Sequence, residues 1–130
     1  MGAFDALRIA SSGLGMHQTW LDTLAHNIAN VNTTRPTSGP AFQAQYVQAR
    51  AVPTGGVSVS GLALGDPAGR VVNSPDDPMA DTNGDVRVPD IDMSSQMTQL
   101  IMAQRGFQAS VQVAKNAQEV YSTALQIGRG

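Results

Sequence analysis

The chain has 130 residues, 42% hydrophobic, 14% charged and 5% aromatic, with a net charge of −2 and no cysteine. That length is the size of one domain; the charge gives no basic footprint for nucleic acid, and the missing thiols exclude disulfides, cysteine-held zinc and thiol catalysis. No run reaches the roughly 18 apolar residues of a bilayer span, and residues 1–10, with Asp5, Arg8 and no apolar core, do not read as a secretory signal.

From Phe4 to Val31, Leu7, Leu14, Leu21 and Ile28 fall seven apart, with Ala10, His17, Leu24 and Val31 as a companion series. Spacing by threes and fours predicts a helix, and the sevens predict a coiled-coil stripe. Ser11, Ser12, Gly13 and Gly15 interrupt it, each glycine costing about 1 kcal/mol relative to alanine in a helix. The expectation is a helix that depends on partners for its order.

Residues 33–90 hold all seven prolines, and the period changes to two. Val57 to Leu64 after Thr54-Gly55-Gly56, then Arg70-Val71-Val72 and Val86-Arg87-Val88, are predicted strands, and Asn83-Gly84 reads as a hairpin turn. From Met93 to Ile127 the helical pattern returns, with Met93, Leu100, Phe107, Ala114 and Tyr121 at sevens and Met97, Val111 and Leu125 beside them. Asp92 or Ser94 is the expected N-cap and Gly128 the expected left-handed stop. The expected fold is mainly α: long terminal helices paired as a coiled coil, with a small β-rich, loop-rich middle. Residues 1–32 and 91–130 form one helical domain around the insertion 33–90.

Six of the ten acids lie between Asp76 and Asp92. A calcium loop needs oxygen ligands at alternate positions before a turn glycine; Asp81, Asn83 and Gly84 fit, whereas Met79 takes the first ligand position and Asp90 the closing one. The stretch therefore reads as a solvated loop, with a small calcium-binding or adhesive module as the alternative from another class. Asp22 and His26 are one helical turn apart, but two ligands do not make a metal site, and the pair reads as a surface or interface contact. His17, a polar group in the apolar series, reads as a register determinant. Ser12 and His17 lack the G-x-S-x-G elbow of a hydrolase. No catalytic, cofactor or metal residue is expected. The last helix carries seven glutamines against few charges, a surface suited to a helix surrounded by other subunits.

Asn27-Ile28-Ala29-Asn30-Val31-Asn32-Thr33-Thr34 resembles the ANNIAN-x-NT element of the bacterial flagellar rod and hook proteins. Ile9-Ala10-Ser11-Ser12-Gly13-Leu14 and Arg105-Gly106-Phe107-Gln108-Ala109 are similar to that family too. Asp77-Pro78-Met79-Ala80-Asp81-Thr82-Asn83-Gly84 with Val86 to Asp92 resembles its proximal-rod members more than other rod or hook subunits. His26, Asp77, Asp85 and Gly106 depart from the common residues. The resemblance implies a structural, non-enzymatic subunit of a hollow helical rod crossing the periplasm, exported by the flagellar type III apparatus without a cleaved signal peptide. Its implied partners are copies of itself, other rod subunits, and adaptor and export-gate components on the MS-ring side. Leu14, Leu21, Leu24, Ile28, Leu100, Phe107, Val111, Ala114 and Tyr121 are the expected subunit-interface seam. Asn27, Ile28, Ala29, Asn30, Asn32 and Thr33 form the motif, and Asn27, Asn30 and Asn32 are expected to turn the chain out of the helix, since asparagine tolerates left-handed geometry and caps locally.

Overall fold

The two helical patterns become α1 (Ala3–Ala29) and α2 (Met93–Gly128), flanking β1 (Gln45–Ala51), β2 (Val57–Leu64), β3 (Arg70–Asn73) and β4 (Asp85–Val88). This architecture is that of a computed structural model describing residues 2–129. At 1.5 Å per residue the helices are about 40 and 54 Å long, so the molecule is mainly helical. The Asp92 carboxylate accepts the Ser94 N–H at 3.1 Å and caps α2, as expected. Gly128, however, is the last residue of α2 and not a left-handed stop; the helix ends on Arg129 in right-handed geometry, φ −87° and ψ −18°.

The rings of Phe4 and Tyr121 lie 6.4 Å apart, His17 rests on Gly106, and Asn27 reaches Gln96. These contacts set α1 and α2 antiparallel in one register. α2 continues past Tyr121 for seven residues, beyond the start of α1. The pair buries Ala10, Thr23, Leu24, Asn27, Gln96, Ala103 and Ala117. Small residues on α2 let the backbones approach closely, and the larger apolar side chains flank them.

β1 and β2 form an antiparallel hairpin with an irregularity after Gln48, where Gln48 pairs with Gly61 and Ala49 with Val59. Ser60 is the extra residue, and its hydroxyl donates to the Gln48 carbonyl at 3.0 Å. β3 and β4 form a second antiparallel pair, extended by a bridge in which Arg35 and Arg87 exchange two backbone hydrogen bonds of 2.8 Å. Val86 and Pro89 are fully buried, and Ala41, Ala44 and Ile91 are buried as well. The predicted strands at 57–64, 70–72 and 86–88 are all present, with β1 as an addition. The Asn83-Gly84 hairpin turn is corrected: residues 74–84 form a longer connection, in which the Gly84 N–H donates to the Asp81 carbonyl at 3.0 Å. A two-residue type I′ turn needs positive φ at both central residues, and among the described residues only glycines have it.

Candidate functional site

The motif at the end of α1 is a hydrogen-bonding junction. The Asn27 amide donates to the Gln45 carbonyl at 2.8 Å and to Gln96 Oε1 at 3.2 Å, while its oxygen accepts the Gln45 N–H at 2.8 Å. One side chain thus joins α1, the start of β1 and the first turns of α2. Asn27 is 0% exposed and Gln96 3%, and a buried amide is tolerated only when its donors and acceptors are matched. Asn30 caps the helix at φ −107°, donates its amide to the His26 carbonyl at 2.9 Å and accepts the Thr33 hydroxyl at 3.0 Å. Ala29 and Asn32 are exposed, and Ile28 is half-buried. The expected local capping is present at Asn30, whereas the expected left-handed geometry is corrected: every asparagine has negative φ.

Of the expected seam, Leu24 is buried, Leu14, Leu21, Ile28, Leu100, Phe107, Val111 and Ala114 are half-buried, and Tyr121 is 42% exposed. The side chains at the centre of the helix pair belong to another series, Gln96, Ala103, Ser110 and Ala117, again seven apart. His17 lies against that series. Its Nδ1 is 2.8 Å from the Gly13 carbonyl and 3.5 Å from the Ser110 hydroxyl, and its ring fills the space a Cβ on residue 106 would need.

Among the described residues, the groups considered for other chemistries have these partners. Ser12 donates to the Ile9 carbonyl at 2.6 Å and accepts the Val57 N–H at 3.1 Å, with no bond to His17. Asp22 accepts from Gln18 at 2.8 Å, whereas the His26 ring packs on Phe42 at 5.2 Å. Both Asp81 oxygens are engaged: Oδ1 accepts the Asn83 and Asp85 N–H groups at 2.8 and 3.0 Å, and Oδ2 accepts the Thr37 hydroxyl at 2.7 Å. These donors, the Asp85 N–H foremost, hold the Asp81 carboxyl below its usual range. A groove of about 280 Å³ runs between α1 and β1, lined by Met16, Trp20, Leu24, Tyr46 and Val47 among others.

Much of the outer surface of α2 is apolar. Met97, Ile101, Met102, Val113, Val120, Leu125 and Ile127 are all exposed, Val113 by 51% and Ile127 by 76%. Long terminal helices, a small β insertion and an exposed apolar helix surface define a structural assembly subunit. Residues 7–37 match the flagella basal body rod protein family, and residues 83–127 match the C-terminal region of the flagellar basal body rod FlgEFG proteins. The chain is 33% identical to flagellar basal-body rod protein FlgC of Yersinia enterocolitica over 99% of its own length and 100% of that protein's. The FlgC proteins of Salmonella typhimurium and Agrobacterium fabrum are 29% and 30% identical, over 99% and 94% of this chain and 100% and 92% of their own lengths. The chain belongs to the flagellar basal-body rod protein family and is a structural rod subunit, on the branch whose members are called FlgC.

Proposed function

We propose that the chain assembles helically with copies of itself and with other rod subunits to build part of the proximal rod, the hollow shaft that transmits torque and passes exported subunits. In this reading α1 and α2 act as a coiled coil in the wall of the tube, with the β insertion outside. The expected seam residues other than the already buried Leu24 complete their burial against neighbours. The reading includes export by the flagellar type III route, residence in the periplasm, contacts with MS-ring-side adaptor and export-gate components, and no catalytic role.

The observation that carries this proposal is the apolar exterior of α2. Water-facing helices normally place charged and polar residues outward, whereas Ile101 and Val120 are 50% and 59% exposed. The accessible surface points the same way: 8173 Å² against roughly 6,600 Å² for a compact monomer of about this mass. The excess is of the order an ordinary protein interface buries. Ile101→Asp and Val120→Asp change side chains that line neither the core nor a recess of the single chain, so the expected result is a folded chain that no longer enters basal bodies or supports swimming. Wild-type motility in both variants would refute the reading.

A further inference from the structure

The first half of α1 is held from outside the helix pair. Arg8 Nη1 donates to the Gly55 carbonyl at 3.2 Å and Nη2 to the Thr54 carbonyl at 2.9 Å. One turn on, the Ser12 hydroxyl accepts the Val57 N–H at 3.1 Å. The partners are 45–47 residues away in sequence and all belong to the tip of the β1–β2 hairpin.

The tip is shaped for that contact. Val52 and Gly55 close a turn with a 2.8 Å bond, and Gly55 and Gly56 continue at φ +98° and +95°, a conformation open to glycine at little steric cost. A Cβ on Gly56 would lie 2.6 Å from Ser12 Oγ, and one on Gly55 3.1 Å from Ile9 Cδ1. The backbone of the tip therefore lies directly on the helix.

The helix beneath is the weak part of α1. Ser11, Ser12, Gly13 and Gly15 are poor helix formers, and among the described residues before Thr23 only Ala10 is buried. A recess of about 330 Å³, lined by Ile9, Ala10, Gly13, Val57, Ala109 and Val113 among others, lies where the tip meets the two helices. The tip is thus fixed by a few polar bonds and glycine-sized contacts over an incompletely filled space, and segments of that kind open at low free energy.

We propose that the β1–β2 tip is a releasable strap over α1: its docking and the helical order of residues 4–15 form one cooperative unit that opens separately from the Asn27–Gln96 end. Release frees the two carbonyls held by Arg8 and uncovers Ile9 and Ser12.

Amide hydrogen exchange on the full chain tests this, comparing wild type with Arg8→Ala, Ser12→Ala and Thr54→Ala. In the first two, the hydrogen-bonded amides of residues 6–15 and those of Val52, Gly55 and Val57 are expected to exchange at least tenfold faster together, while 20–29 and 96–103 keep wild-type rates. Thr54→Ala keeps the carbonyl and is expected to leave every rate unchanged. Acceleration confined to Val52, Gly55 and Val57, an even rise along the whole chain, unchanged rates in both Arg8→Ala and Ser12→Ala, or absence of protection over 6–15 in wild type would each overturn the strap. None of these readouts depends on rod assembly.

Discussion

Asn27 donates to Gln96 across the α1–α2 interface at 3.2 Å, and the same amide completes a two-bond exchange with the backbone of Gln45. An alanine at position 27 leaves the Gln45 N–H, its carbonyl and the Gln96 amide without their partner in a closed space. An unsatisfied buried polar group costs about 1–3 kcal/mol, so Asn27→Ala is expected to destabilise the chain by on the order of 3 kcal/mol. Asn27→Asp is expected to behave similarly, because it sets a carboxylate oxygen against the Gln45 carbonyl and Gln96 Oε1. Thermal and urea unfolding followed by circular dichroism measure both.

Gly106 offers the opposite case to ordinary helix propensity. Glycine to alanine in an exposed helix gains about 1 kcal/mol, but here the added methyl meets the His17 ring, whose Nδ1 is tied to the Gly13 carbonyl at 2.8 Å. Gly106→Ala is expected to lower the melting temperature, and adding His17→Ala to restore part of the loss. A double-mutant cycle checks the coupling; additive effects would show that the two residues do not share the space.

The α2 N-cap gives a smaller, local effect. Asp92→Ala removes the acceptor for the Ser94 N–H and is expected to cost about 0.5–2 kcal/mol. Asp92→Ser retains most of the stability, and unfolding midpoints of the three chains order accordingly.

Acid acts on the connection between β3 and β4. The Asp81 carboxyl sits below its usual range, first through the Asp85 N–H and then through the Thr37 hydroxyl. A depressed folded value means that the stabilisation is present above the unfolded pKa of about 3.9 and is lost as pH falls through the lower folded value. Exchange of the Asn83 and Asp85 amides is expected to accelerate, relative to its intrinsic rate, below about pH 4. In Asp81→Ala it is fast already at neutral pH. Since both Asp81 oxygens serve the chain's own donors, melts with calcium and with chelator are expected to superpose; a calcium-dependent rise lost in Asp81→Asn would restore the calcium reading.

Helix periodicity made α1 and α2 legible because their patterns persist for many turns, and Val57–Leu64 was legible because its alternation follows a Gly-Gly turn. β1 was not: in Gln45-Tyr46-Val47-Gln48-Ala49-Arg50 most residues are exposed, so no inward face marks the strand. The centre of the helix pair escaped for a different reason. A hydrophobic template selects Leu100 and Phe107, whereas close backbone approach selects Ala103, Gly106, Ser110 and Ala117, whose small size carries little hydropathy signal. The asparagine motif was readable as a resemblance, but the partners of Asn27 are 18 and 69 residues away, and nothing local announces Gln45 or Gln96. Arg8 is the same kind of case, since its partners are backbone carbonyls in a distant turn.

Image reconstruction of basal bodies that carry this chain shows whether the faces of α1 and α2 are what holds it in the rod. The expected density places both helices in the tube wall, with Ile101 and Val120 covered by neighbouring subunits and the β1–β2 hairpin outside. A rod in which the α2 exterior faces solvent, or one from which the chain is absent, would contradict it.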